Sequence, residues 1–179
     1  MAVEVEIRSF ITKKKHGELL TRLKKEARFV GTDHQETFYF EAPIDLRIQR
    51  NDSFSKIWAK GGRMHDTFRN EVEIRFNRSD FKSLESILVG AGLRISSKWY
   101  RTRHTFRQGR TSIMLDHTRA YGYIIELERM ATESDKEAAL EVLKEKARDL
   151  GVKLSHRSEF ERRFALYKKR WKAAAAGRG

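Results

Sequence analysis

Val3-Glu4-Val5-Glu6-Ile7-Arg8 alternates apolar and charged side chains, and the pattern returns in Arg69-Asn70-Glu71-Val72-Glu73-Ile74-Arg75 and in Ile125-Glu126-Leu127-Glu128. Residues two apart on a β-strand project to one face, so each stretch puts two carboxylates on one side and Val, Ile or Leu on the other. Acidic pairs on strands far apart in sequence point to a metal site. They run against the composition, in which 38 Lys and Arg outnumber 25 Asp and Glu for a formal net charge of +13.

Working outward, residues 1–12 read as a strand and residues 16–29 as an amphipathic helix carrying Leu19, Leu20, Leu23 and Ala27 at helical spacing. Strand-like segments follow at 36–41, with Phe38 and Phe40 on one face, at 44–50 and at 55–60. Gly61-Gly62 marks a turn, and alternation resumes over 67–76. Ser79 or Asn77 is placed to cap a second helix whose buried stripe is Phe81, Leu84, Ile87, Leu88 and Ala91, with Gly90 and Gly92 suiting its end. Three further strands cover 99–106, 111–116 and 123–129, the first two joined by a Gln108-Gly109 turn. Helices over 134–150 and 158–171 precede an Ala-rich tail. Eight strands with mostly short connections and helices between and after them predict an antiparallel α+β architecture.

The chain's 179 residues suit one domain with a substantial core. No run of eighteen apolar residues occurs and the N-terminus is charged, so the expectation is a non-membrane, cytoplasmic protein. The absence of cysteine excludes a disulfide framework, a thiolate zinc site and a cysteine nucleophile. The positive surplus attracts anions: nucleic acid, an anionic membrane or polyphosphorylated small molecules.

Parity gathers Glu4, Glu6 and Arg8; Arg47 and Gln49; Lys56, Trp58 and Lys60; Arg69, Glu71, Glu73 and Arg75; Arg101 and Arg103; Asp116; and Glu126 with Glu128 on one set of strand faces. A solvated outer face would read the same way. These faces are nearly free of Ser, Thr and Gln, however, and both signs of charge recur in pairs. If the sheet closes into a barrel, they line its interior, where charge must be compensated. Carboxylates from several strands are hard oxygen ligands for Mg²⁺ or Mn²⁺, and Arg and Lys beside them bind phosphate oxygens, which describes a phosphoryl-transfer site. The six histidines lack paired ligand spacing and no phosphate loop of the G-x-x-x-x-G-K-[ST] type is present. Trp58, Trp99 and Trp171 read as packing residues, and the basic segment 162–172 as a solvated helix face.

The ordered set Glu4-x-Glu6-x-Arg8, Leu46-Arg47-Ile48, Trp58-Ala59-Lys60-Gly61, Arg69-x-Glu71-x-Glu73, Arg101-x-Arg103, Leu115-Asp116, Gly122 and Glu126-x-Glu128 resembles the CYTH superfamily, the triphosphate tunnel metalloenzymes. The resemblance implies an eight-stranded antiparallel β-barrel, a tunnel with helices packed outside, over residues 1–172, with a flexible tail at 173–179. It implies Glu4, Glu6 and Glu128 as metal ligands, Glu73, Asp116 and Glu126 as candidates for a second ion, and Arg8, Arg47, Lys56, Lys60, Arg69, Arg101 and Arg103 as the phosphate cradle. Glu4, Glu6 and Arg8 would carry catalysis. The family pattern has lysine where this chain has Arg8, whose guanidinium cannot shuttle a proton, and Gln49 stands where a basic residue often follows. The implied function is metal-dependent hydrolysis of inorganic, nucleoside or thiamine triphosphate, with Mg²⁺ or Mn²⁺ as cofactor, in a monomer or homodimer; polyphosphate is a further candidate ligand. The alternatives are a class IV adenylyl cyclase, forming cyclic AMP and pyrophosphate, and a non-catalytic polyphosphate- or RNA-binding module.

Overall fold

The computed structural model describes residues 2–61, 68–69 and 71–176, with the backbone alone for Ala2, Phe68, Arg69 and Ala174. In chain order the elements are β1 (Ala2–Ile11), α1 (Lys13–Glu26), β2 (Arg28–Phe40), β3 (Asp45–Arg50), β4 (Ser55–Lys60), β5 (Phe68–Arg69), β6 (Glu71–Phe76), α2 (Phe81–Gly90), β7 (Ile95–Gln108), β8 (Thr111–Thr118), β9 (Gly122–Thr132), α3 (Lys136–Asp149) and α4 (Arg157–Ala175). All strand pairs are antiparallel, in the order β5-β1-β9-β8-β7-β2-β3-β4-β6. The two ends of that sheet, β5 and β6, are separated in sequence by residue 70 alone. Taken together they are the expected strand over 67–76, of which residues 67 and 70 lie outside the described residues. Eight strands therefore wrap into the tunnel. The chain itself, rather than a hydrogen-bonded ladder, joins the edge held by β1 to the edge held by β4.

Over most of the sheet the apolar strand faces point outward under the helices, whereas Val72 and Ile74 of β6 stay exposed. Val5, Phe106, Ile113, Leu115, Ile125 and Leu127 pack against Leu19 and Leu23 of α1 and Leu143 and Ala147 of α3. A second core forms where Phe38, Phe40 and Ile48 meet Phe81 of α2. With the apolar face turned to the helices, strand parity turns the charged face to the barrel axis.

Several boundaries differ from the sequence reading for identifiable reasons. Helix α1 begins at Lys13 because Thr12 caps it, its hydroxyl accepting from the Lys15 amide at 3.0 Å. Strand β2 starts at Arg28, well before residue 36, and runs alongside β7 from Arg28 opposite Arg107 to Phe40 opposite Ile95. Its first half is largely exposed, Phe29 and Val30 included, so it lacks the alternation that marks a half-buried strand and is held by its ladder instead. Neither Asn77 nor Ser79 caps α2; a 3₁₀ turn over Arg78–Asp80 leads into it, and two members of the expected buried stripe, Ile87 at 65% and Ala91, are exposed instead. Leu84 and Leu88 do pack inward, and Gly92, at φ +92, ends the helix with its amide on Val89 and that of Leu93 on Leu88. The β7–β8 loop is Gly109-Arg110, with φ +58 at the glycine. Helix α4 continues to Ala175, past the expected start of the tail.

Phe38 is fully buried, edge-on to Phe81 at 5.1 Å, with the Lys98 ammonium 3.8 Å from its ring centroid. Phe38→Ala should therefore cost about 3–5 kcal/mol, read as a lower urea midpoint at unchanged m-value.

Candidate functional site

The tunnel encloses a cavity of about 200 Å³. Among the described residues six cations line it (Arg8, Arg47, Lys56, Lys60, Arg101 and Arg103) and six carboxylates (Glu4, Glu6, Glu71, Asp116, Glu126 and Glu128). Asp116, 1% exposed, anchors one wall. Its carboxylate accepts from Arg103 Nε at 2.8 Å and Nη2 at 2.7 Å, and from Arg101 Nη1 at 3.1 Å. Arg103 also reaches Glu126 at 3.1 Å, and Arg101 donates from Nε at 2.8 Å and Nη2 at 2.5 Å to Gln35 Oε1. Both guanidiniums are thereby fixed, with donors left over for a ligand.

On the opposite wall Arg47 makes a bidentate pair with Asp45, at 2.7 and 2.5 Å, and its guanidinium lies 4.5 Å from the Tyr39 ring and 5.7 Å from that of Trp58. Lys56 stands 4.5 Å over Trp58 and bonds Glu73 at 2.6 Å. Arg8 contacts Glu6 at 3.2 Å and lies 5.3 Å from the Phe160 ring. Phe160 and Phe164 come from α4, which lays them against Trp99, Tyr121 and Ile124 and so gives one part of the cavity an aromatic wall. At the seam Lys60 bridges Glu71, Glu4 and Glu6 at 2.9, 3.2 and 4.0 Å.

The structure thus brings Glu4, Glu6, Arg8, Arg47, Lys56, Lys60, Arg101, Arg103, Asp116, Glu126 and Glu128 to one cavity. Arg69 stands opposite Glu4 in the β1–β5 register, its side chain outside the described residues. Glu73 is held by Lys56 and Arg75 and is not among the cavity's lining residues, and Asp116 is fully engaged by the two arginines. Gln49 is 4% exposed and belongs to an amide ladder, donating to Thr37 at 2.8 Å and Gln35 at 3.3 Å. Gln35, Thr37 and Thr118 also line the cavity, so the inward face carries more neutral polar groups than parity indicated. Tyr39 and Trp99 share parity with Thr37 and Arg101, a signal present in the sequence. Phe160, Phe164 and Tyr167 recur at helical spacing on α4, but no pattern in the sequence says that this helix faces the cavity.

An antiparallel tunnel with its charged face inward and a helical coat outside defines the class of protein. The CYTH domain model matches residues 2–164, and the chain belongs to the CYTH family. A conserved hypothetical protein from Pyrococcus furiosus has the same fold, with TM-score 0.74 at 23% identity over 84% of this chain and 91% of its own. A putative adenylate cyclase from Bacillus halodurans gives 0.64 at 18% identity over 86% and 92%. A putative adenylyl cyclase from Hippeastrum, described as having a dominant triphosphatase activity, gives 0.66 at 16% identity over 90% and 94%. At these identities the likeness concerns the fold. No curated protein matches the chain.

The wall's charges are strongly coupled. Burial pushes the Glu4 carboxyl up to about 7, against the pull of Lys60, and Glu6 and Glu128 add to the rise. Glu128 is raised by burial and by Glu126. Burial would raise Glu126 too, but Arg103, Arg101, Arg8 and Lys60 outweigh it and hold that group at about 2. Among the described residues no three acidic or histidine side chains converge as a ready metal cage. The donor set nevertheless fits a hard divalent ion, being carboxylate oxygen throughout, and the Lys60 ammonium already stands where a cation is needed.

Because Glu4 is raised in the folded state, its contribution to stability is full below its ordinary value of 4.5 and is lost as pH climbs through about 7. In metal-free buffer the melting temperature should fall across that window, and Glu4→Gln should flatten the fall. Parallel profiles for the two proteins would contradict the assignment.

Proposed function

We propose that the tunnel binds a triphosphate together with a divalent cation and hydrolyses its terminal anhydride. The observation that carries this reading is the balance of the wall, with six cations facing six carboxylates around a small cavity. A polyanion entering alone would meet as many carboxyl groups as cations among the described residues that line the cavity. A polyanion accompanied by a divalent ion finds arginines for its oxygens and carboxylates for its metal. Membership of the CYTH family and the triphosphatase described for the Hippeastrum protein support the same reading.

In this reading Arg101 and Arg103, pre-oriented by Asp116, Glu126 and Gln35, receive the phosphate chain at little reorganisation cost. Arg47, clamped by Asp45 between Tyr39 and Trp58, and Arg8 hold further oxygens, Arg8 as a permanent charge rather than a proton carrier. Glu4, Glu6 and Glu128 would hold the metal, whose contribution when bound is to neutralise developing charge on phosphate oxygens. The aromatic wall from α4 limits water on that side of the cavity.

Substrate size favours inorganic triphosphate. A cavity of about 200 Å³ is smaller than the roughly 300–1,000 Å³ of pockets that enclose drug-sized molecules. A nucleoside or thiamine substituent would have to extend beyond that volume. The class IV cyclase reading draws on the neighbours described as putative adenylate cyclases.

Phosphorus NMR of the protein with Mg²⁺ or Mn²⁺ should show orthophosphate released from inorganic triphosphate faster than from ATP. Cyclic AMP with pyrophosphate from ATP would instead establish the cyclase. Arg101→Met should lower kcat by roughly 100-fold, and an unchanged rate would remove Arg101 from the phosphate cradle.

A further inference from the structure

Lys60 ends β4 and stands opposite Glu71 of β6 in register, while Glu4 and Glu6 reach it from β1. Its side chain is 14% exposed, and its ammonium lies 2.9 Å from Glu71, 3.2 Å from Glu4 and 4.0 Å from Glu6. Lys56, on the same face of the strand, is bonded instead to Glu73, away from this acidic group. Glu4 and Glu6 are two of the three carboxylates that hold the metal in the triphosphatase reading, and the role of Lys60 rests on that reading. A lysine ammonium is a compact point charge with several donors, so it occupies the same carboxylate oxygens that a hard divalent ion requires. The two cations also repel at such separations. Both cannot be seated at once.

We propose that Lys60 is a tethered counter-ion that keeps the carboxylate group closed to metal until a polyphosphate draws its ammonium away. The flexible four-carbon stem lets the ammonium exchange a carboxylate for a phosphate oxygen without leaving the cavity. Glu71 and Glu4, on the two strands that flank the seam, hold the ammonium in the resting state. Metal thus binds weakly to the empty tunnel and tightly to the loaded one. By linkage, the polyphosphate gains affinity from metal by the same factor.

The experiment is a Mn²⁺ titration of the metal-free full-length protein, following free Mn²⁺ by electron paramagnetic resonance, with and without an imido-bridged triphosphate that cannot be hydrolysed, uptake being counted only beyond what the anion alone chelates. Lys60→Met should raise Mn²⁺ affinity in the absence of the anion by about tenfold or more and should shrink the enhancement that the anion brings. Lys56→Met removes the same charge from the same wall and should change Mn²⁺ affinity by no more than about twofold, since it leaves the ion pairs of Lys60 intact. Lys60→Arg keeps the charge, though not the compact ammonium, and should raise Mn²⁺ affinity in the absence of the anion less than Lys60→Met does. An equal rise in both methionine variants, or none in Lys60→Met, overturns the proposal. Should Lys60→Met fail to fold, Lys60→Gln retains the size and a hydrogen-bond donor and is read by the same criterion. Wild-type protein that takes up no Mn²⁺ even with the anion present would overturn the triphosphatase reading itself. Uptake that depends on the anion but not on residue 60 overturns only the role of Lys60.

Discussion

A charge placed inside a protein barrel must meet an opposite charge, because burying it alone costs more than the fold can supply. The rest of this structure depends on that constraint. Asp116, with almost no exposure, is tolerable only because two guanidiniums close on it, and those guanidiniums are tolerable because Asp116, Glu126 and Gln35 take their donors. The same logic puts Asp45 under Arg47 and three carboxylates around Lys60. Each pair fixes the other's rotamer, so the compensation that makes the tunnel foldable also pre-arranges it for a ligand.

The balance of the wall separates two properties that the composition merges. The chain carries +13 overall, yet the described lining of the cavity is even in sign. The surplus therefore lies elsewhere, as with exposed Lys13 and Lys14 at the start of α1 and Arg162, Lys168, Lys169, Arg170 and Lys172 along α4. Net charge on the outside draws anions toward the molecule and is screened by salt. Selection inside rests on paired, oriented groups, and an anion that leaves its counter-ion behind gains little from entering.

Much of this was legible in the sequence because strand parity is rigid. A period of two leaves no freedom about which side Glu4, Glu6 and Arg8 share, and Val5 opposite them had to face a helix. Parity also had Trp58 on the inward face, where the general preference of tryptophan for packing pulled the other way; it does both, lining the cavity while almost fully buried. What stayed hidden depends on contacts between distant elements. Residues 28–35 show no alternation of apolar and polar side chains, and their order comes from pairing with β7. Nothing in the spacing of Phe160 and Phe164 distinguishes a helix packed outside the barrel from one that reaches into its wall. Ion-pair choice was hidden as well: Glu71 and Glu73 look equivalent in sequence, but Lys60 takes one and Lys56 the other.

The position of β1 has a consequence for how the chain acquires this shape. Its ten residues pair with β9, Ala2 opposite Thr132 through Ile11 opposite Tyr123, and otherwise only briefly with β5. The strand of this sheet that is synthesised first must therefore wait for the one synthesised last, carrying an apolar face and two carboxylates with no fixed partner meanwhile. Closing so long a loop before its contacts form makes folding slow. During that wait the alternating charges of β1 serve a second purpose, keeping an unpaired strand soluble while the rest of the protein is still being made.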